Sequence, residues 1–230
     1  MFRADVVLNT ILDNIRSFSV VAIPSRELSP RRDGFRELLE SSYQQRNLVH
    51  RTTGSDIPLL KNNIWLVVRG MVKLGSVSVH GDELLLGLAG PNEPFGEPLS
   101  TVEAYEATAL SDCDLLCLTT RDVEQSPQLA IAMMDAITAR FRQAESMLAL
   151  LGLRRVEERV RGFLTLLAQD YGQYCDEGLR LNLRLTHQEM ASALSTTRVT
   201  VTRVIGLLRD EGWLKIDQQR HLVITHLPKS

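Results

Sequence analysis

Residues 185–214 read LTHQEMASALSTTRVTVTRVIGLLRDEGWL, and this stretch decides the architecture. Thr186 stands three residues before Glu189, the spacing at which the two side chains cap each other's backbone amides, so a helix is predicted to start there. Met190, Ala193 and Leu194 give it one apolar face. Ser195, Thr196 and Thr197 break it, and either threonine can cap a second helix. In that second helix Val201, Val204, Ile205 and Leu208 recur at helical spacing and must face inward. Arg198, Val199, Thr202 and Arg203 are left on the opposite face, near the N-terminal end.

Such a pair of short helices is predicted to be a helix-turn-helix whose second helix enters a DNA major groove. Arginine can donate two hydrogen bonds to guanine O6 and N7, and valine and threonine methyls can meet the thymine methyl. Thr186, His187 and Gln188 at the start of the first helix, with Thr197 and Thr200 at the start of the second, complete the candidate DNA-contact set. The following LKIDQQRHLVI (214–224) reads as strand, turn, strand: a wing with Arg220 and His221 near its tip. A helical hairpin with a merely solvated charged face is the alternative, and the capping box, threonine turn, inward valines and wing jointly argue against it.

Upstream, Ala130, Met134, Ile137, Phe141, Ala144, Leu148 and Leu151 recur at alternating steps of four and three. This narrow heptad seam is the pattern of a helix paired with a second copy, a long intradomain helix being the alternative. Met134, Ile137, Phe141, Ala144, Leu148 and Leu151 are the predicted interface of a homodimer. Gly152 and RRVEERVRG are expected to end this helix, and VRGFLTLLAQDYG to form the first helix of the last domain.

From about Asn47 to Leu118 the apolar period changes to two. IWLVVRG, MVKLGSVSV, DELLLGL and ATALSDCDLLCL are short strand-like runs separated by Gly, Pro and Asp-rich breaks. They predict an antiparallel β-roll of the double-stranded, cupin-like kind. Residues 1–45 carry a helical pattern (Val6, Val7, Ile11, Leu12, Ile15), a loop at IPSRELSPRRDG and a short helix at FRELLESSYQQR. The fold class is α+β. Its expected domains are residues 1–126 (N-terminal helices and β-roll sensor), 127–152 (dimerisation helix) and 153–230 (winged helix-turn-helix).

Composition narrows the function classes. The 230 residues are 44% hydrophobic and 23% charged, ordinary for a globular chain with a packed core. No apolar run approaches the length of a membrane span, and acids interrupt the apolar N-terminus, so a cytoplasmic location without membrane contact is expected. The net charge is −2, but the segment from Leu153 onward carries 12 basic and 9 acidic residues, a local +3 on a body of −5. A positive C-terminal segment suits phosphate contact. Cys113, Cys117 and Cys175 form no CxxC pair. They are expected to be small buried side chains, Cys113 and Cys117 on the same side of one strand. An enzyme on a metal-binding roll would need several inward His and Glu ligands. His50 and His80 alone, without an HxH spacing and at loop-like or strand-end positions, do not supply them. No catalytic or metal-ligating residues are assigned, and a pure interaction module is disfavoured by the helix-turn-helix.

From about residue 46 to its end the chain resembles the Crp/Fnr superfamily of bacterial regulators. GSDIPLLKNNIWLVVRGMVKL, PNEPFGE, the long helix and TTRVTVTRVIGLLRDEGWL follow the family's order. The TRVTVTR string is most similar to the recognition helix of the cyanobacterial global nitrogen regulators. The resemblance implies an effector-sensing roll, a dimerising helix, a winged helix on a palindromic promoter site of GTA-N8-TAC type, and RNA polymerase as partner. The segment after Phe95, Gly96 and Glu97 departs from the cyclic-AMP-binding pattern. FGEPLSTVEAYEATAL offers no arginine before Arg121, and Glu103 falls where a phosphate-gripping arginine would stand. Cyclic AMP is therefore not expected to bind, and no cofactor is expected. Arg140 and Glu145 match an arginine and a glutamate that the nitrogen regulators keep at a 2-oxoglutarate pocket. With Phe95, Gly96 and Glu97 they form the candidate effector site. The alternative, favoured because Glu103 replaces the second cation, is a cross-dimer salt bridge from Arg140 or a regulator that needs no effector.

Overall fold

The computed structural model describes residues 48–79, 81 and 83–225. The N-terminal helical pattern at Val6–Ile15, the loop at 23–34, the helix predicted at 35–46, and His80 lie outside the described residues.

The alternating segment folds into strands β1 (Val49–Arg51), β2 (Asn63–Arg69), β3 (Val72–Val77), β4 (Glu83–Ala89), β5 (Pro94–Phe95), β6 (Tyr105–Ala109) and β7 (Cys113–Thr119). They form two antiparallel sheets, β1-β7-β2-β5 and β4-β3-β6. The period of two sends alternate side chains to opposite faces. Trp65, Val67, Cys113 and Leu115 join Val72, Leu74, Phe95 and Ala107 in the roll interior. Ile64, Leu66, Leu116 and Leu118 face the other way, onto Leu129, Met133 and Ala136 of the long helix. Cys117 packs with Cys113 on the interior side, and burial pushes the Cys113 thiol above its ordinary value. Cys175, expected to be buried, is exposed, because it lies on a hairpin whose outer strand is solvated.

Helix α1 (Thr120–Gln125) was not expected; it is set by a capping box between Thr119 and Asp122. Helix α2 (Pro127–Leu151) starts with Ser126 as N-cap and Pro127 in its first turn, a position where a missing amide costs nothing. Helix α3 (Val156–Tyr171) begins four residues before the VRGFLTLLAQDYG run read as its start. Glu157 and Glu158 in its first turn favour the helix dipole, so RRVEERVRG both ends one helix and opens the next.

The C-terminal part continues with β8 (Gly172–Cys175), β9 (Gly178–Leu181), α4 (His187–Ala193), α5 (Arg198–Asp210), β10 (Leu214–Ile216) and β11 (Leu222–Ile224). The strands form one antiparallel sheet in the order β10-β11-β9-β8. Val160, Phe163, Leu164 and Leu167 of α3 share a core with Met190, Leu194, Val201, Val204 and Leu208. Leu85 and Leu88 of β4, together with Met147 and Leu150 of α2, belong to the same cluster. The C-terminal core is thereby continuous with one strand of the roll.

Candidate nucleic-acid interface

Thr186 Oγ1 accepts the Glu189 amide at 3.1 Å, and Glu189 Oε2 accepts the Thr186 amide at 2.8 Å. This reciprocal pair starts α4, whose Met190, Ala191 and Ala193 are buried. Ser195 takes a left-handed φ of 48° in the turn, and Thr197 Oγ1 accepts the Thr200 amide at 3.2 Å to start α5. Val201, Val204, Ile205 and Leu208 are buried at 0–4% exposure. Arg159 of α3 donates to the Leu194 carbonyl at 2.7 Å and ties the turn to the supporting helix.

Arg198, Val199, Thr202 and Arg203 are exposed on the outer face of α5, Val199 at 78%. Thr186, Gln188 and Thr197 are exposed beside them, while His187 and Thr200 are half-buried. All nine candidate residues lie at the N-caps or in the first two turns of α4 and α5. The N-terminal turn of α5, which they flank, is a favourable setting for phosphate. His187 Nδ1 lies 2.8 Å from Thr202 Oγ1, a cross-link between the two helices that sequence spacing did not suggest.

In the wing, Asp217 accepts the amides of His221 at 2.8 Å and Gln219 at 2.9 Å. These amides, that of His221 foremost, hold its carboxyl below the ordinary aspartate range. Arg220 is exposed at the turn with φ 65°. His221 follows in the same turn, just before β11; it is half-buried, and its Nδ1 stands 3.4 Å from Asp217 Oδ2.

On α2, Leu129, Met133, Ala136, Gln143, Met147 and Leu150 are buried. The seam residues lie on the other side: Met134, Phe141 and Leu148 are 61–71% exposed, Ile137 and Leu151 each 37%, and Ala144 is exposed. Ile131, 68% exposed, extends this apolar stripe.

Arg140 is half-buried and turned to the roll, donating to the Leu88 carbonyl and to Gln143 Oε1 at 3.2 Å. Within one copy of the chain these two acceptors, one of them the carbonyl at the end of β4, occupy the Arg140 guanidinium. Glu145 is exposed and is not brought to Arg140. Phe95 and Gly96 are buried and Glu97 exposed. Gly96 has φ 150°, and a Cβ there would stand 2.6 Å from the Asn63 carbonyl, so the turn requires glycine. Tyr105 is hydrogen-bonded to the Gly96 backbone, and burial raises its phenol pKa. Glu103 is exposed, its carbonyl accepting from Ser76. His50, read as loop-like, sits mid-strand in β1 and pairs with Asp114 at 2.9 Å.

Between roll, α2 and α3 lies a polar knot that sequence reading missed. Gln143 Nε2 donates to Tyr171 Oη at 2.6 Å and to Asp170 Oδ2 at 3.1 Å, and Tyr171 Oη lies 2.8 Å from Glu93 Oε2. The Gly90 amide donates to the same Glu93 oxygen at 3.0 Å. Burial pushes Glu93 above the ordinary glutamate range and Tyr171 well above the ordinary phenol value. The one available signal was Gln143, at helical spacing from Ala136, Met147 and Leu150 on the buried stripe of α2.

Among the described residues, no helix is long and apolar enough to cross a membrane. Residues 60–126 match the cyclic nucleotide-binding domain, and residues 158–229 match the Crp-like helix-turn-helix domain. The chain is 33% identical over 175 residues to the global nitrogen regulator of Nostoc sp., covering 72% of this chain and 77% of the relative. It is 31% identical over 177 residues to the regulatory protein CysR of Synechococcus elongatus, covering 76% and 81%. A solved CRP/FNR-family transcriptional regulator of Thermus thermophilus superposes with a TM-score of 0.64 at 26% identity, covering 79% of this chain and 94% of that one. These relatives are regulators rather than enzymes, and the two family models together cover the roll and the helix-turn-helix. The chain belongs to the Crp/Fnr family of transcription regulators.

Proposed function

We propose that two copies of this chain, joined along the Met134–Leu151 stripe, bind a two-fold symmetric promoter site in the cytoplasm and act there on RNA polymerase. The observation that carries this reading is the exposed quartet Arg198, Val199, Thr202 and Arg203 above a fully apolar inner face of α5. Two such helices related by a dyad read half-sites about 10 bp apart, centre to centre. The likeness to the global nitrogen regulators supports a site of GTA-N8-TAC type. In this reading residues up to 126 are the sensor, 127–152 the dimerisation helix and 153–230 the DNA-binding domain.

The experiment is selection of bound sites from random DNA, which reports sequence preference and symmetry together. A palindrome with the spacing above is expected, and enrichment of single half-sites would sink the dimeric reading. Phe141→Asp places a charge in the stripe. It is expected to give monomers in sedimentation and to weaken palindrome binding about 100-fold or more, since each half-site then binds without its mate.

We further infer that the roll works without a cyclic nucleotide. Glu103 stands where a phosphate-binding cation is needed, and Arg140 is engaged with the Leu88 carbonyl and Gln143. Titration calorimetry with cyclic AMP and with 2-oxoglutarate, in the presence and absence of target DNA, tests this. Submillimolar 2-oxoglutarate binding that disappears in Arg140→Ala would instead assign the site to a small dicarboxylate.

A further inference from the structure

The hydroxyls of the threonines at the reading end of α5 are all engaged inside the protein. Thr197 Oγ1 accepts the Thr200 amide and lies 2.8 Å from Thr200 Oγ1. Thr202 Oγ1 donates to the Arg198 carbonyl, one turn back, at 2.9 Å. A hydroxyl has one proton, so the contact with His187 Nδ1 at 2.8 Å must run the other way. With the Thr202 proton on that carbonyl, the contact is made by a His187 ring that donates from Nδ1.

Two consequences follow for a base edge. Thr202 has no proton left for guanine O6 or N7, adenine N7 or thymine O4, the acceptors of the major groove. Two hydrogen bonds also hold Oγ1 to the Arg198 carbonyl and to His187 and fix χ1, so that, besides one remaining oxygen lone pair, the γ-methyl is the group this exposed side chain offers. Val199 beside it offers methyls only, and the outer face of α5 at this end carries no carboxylate and no carboxamide. It therefore lacks the group that accepts from cytosine N4 and the one that pairs with adenine.

Resting on the DNA-reading assignment above, we propose that Thr202 reads a thymine through its 5-methyl group and that His187 is the positioning residue that holds it to this task. What α5 turns to the half-site is then a face of guanidiniums and methyls, with Thr202 and Val199 each answering to its own 5-methyl group.

The test uses the full-length protein and its selected palindrome, with each half-site thymine replaced singly by deoxyuridine, which deletes only the 5-methyl. Wild-type affinity is expected to fall about threefold to fivefold at each read thymine, the effect of one buried methyl. Thr202→Ser keeps the hydroxyl and deletes the methyl; the readout is the uracil penalty, which should vanish at one position and persist at the Val199 position. Thr202→Val should retain both penalties. His187→Ala should shrink the penalty at the Thr202 position, and His187→Asn, whose amide can donate from near the Nδ1 position, should restore it. A helix defect or a lost phosphate contact would weaken all duplexes alike and leave the penalties unchanged. Unchanged penalties in Thr202→Ser, or in His187→Ala, overturn the assignment of that residue. A wild-type protein that shows no sequence preference overturns the underlying DNA-reading assignment instead.

Discussion

The reading end of α5 and the polar knot beneath α2 are both built from hydrogen-bonding side chains, yet they work in opposite ways. At the reading end Arg198 and Arg203 are exposed, and removing one leaves water to solvate what remains. In the knot, Glu93 and Gln143 are 5% and 7% exposed and are bonded to groups from three parts of the chain. Removing a partner there strands a buried polar atom, which costs more than the bond itself contributed. The difference teaches where to look for each property: changes at the reading end should alter sequence preference without altering stability, and changes in the knot should do the reverse.

The largest effect is expected at Gly90. A Cβ there would stand 2.6 Å from the Tyr171 ring and 3.1 Å from Met71 sulfur. Tyr171 cannot give way freely, since its hydroxyl is bonded to Gln143 and to Glu93. Gly90→Ala should cost about 3 kcal/mol of stability in urea unfolding, near the upper end for overpacking, with the preferred palindrome unchanged. A Gly90→Ala protein of wild-type stability would show that the knot is loose.

Arg198→Ala is the counterpart at the other end. If it contacts a guanine, its loss should weaken the palindrome by about 1–3 kcal/mol and relax preference at one position of each half-site. Its urea midpoint should match the wild type. Equal weakening of all sequences, with a smaller salt slope, would reassign Arg198 to phosphate.

The same contrast explains what could be read from the sequence. The reading end is local: Thr186 with Glu189, and Val201 with Val204, Ile205 and Leu208, lie within one or two turns of each other, so spacing alone exposes their geometry. The long helix was legible for the same reason, its inner and outer stripes being separable by period. The knot joins Glu93 to Tyr171, 78 residues apart, and no periodicity encodes such a pair. The Arg140 contact with β4 and the His187 to Thr202 bond escaped for related reasons. One depends on how the roll docks, the other on the crossing of two helices. The short strands β5, β8 and β9 were missed because they are defined by pairing more than by alternation.

Glu93 gives a smaller and pH-dependent effect. Burial raises its native pKa, and Asp170 pushes the same way, against the Gly90 amide, Arg140 and Tyr171. An acid whose native pKa lies above its unfolded value contributes stability that is complete below the unfolded pKa and is lost as pH rises through the native one. Glu93→Gln keeps an acceptor for Gly90 and Tyr171 but does not titrate. Urea unfolding of both proteins from about pH 4 to about pH 8 should show the wild type losing ground to the variant as pH rises. Parallel curves would mean that Glu93 is solvated in the folded protein.

The smallest effect is expected where the reading unit meets the roll. Lys73 Nζ of β3 stands 3.3 Å from Glu189 Oε1 and 4.0 Å from Glu83 Oε2. Glu189 uses its other oxygen, Oε2, to cap α4, so one carboxylate starts the helix and also ties it to the roll. Lys73 keeps 23% exposure of its side chain, which places the pair near the surface, where ion pairs contribute about 0.2–1 kcal/mol. Lys73→Ala should therefore lower stability by about 0.5 kcal/mol, less at high salt, while the capping box survives. A double-mutant cycle with Glu189→Gln, which preserves the cap, isolates the pair from the packing around it. Coupling of that size would make the ion pair a part of what seats α4 on β4. An absence of coupling would leave that seating to the apolar contacts of Leu85 and Leu88 with the C-terminal core and to the bond from Ser192 to the Glu83 carbonyl.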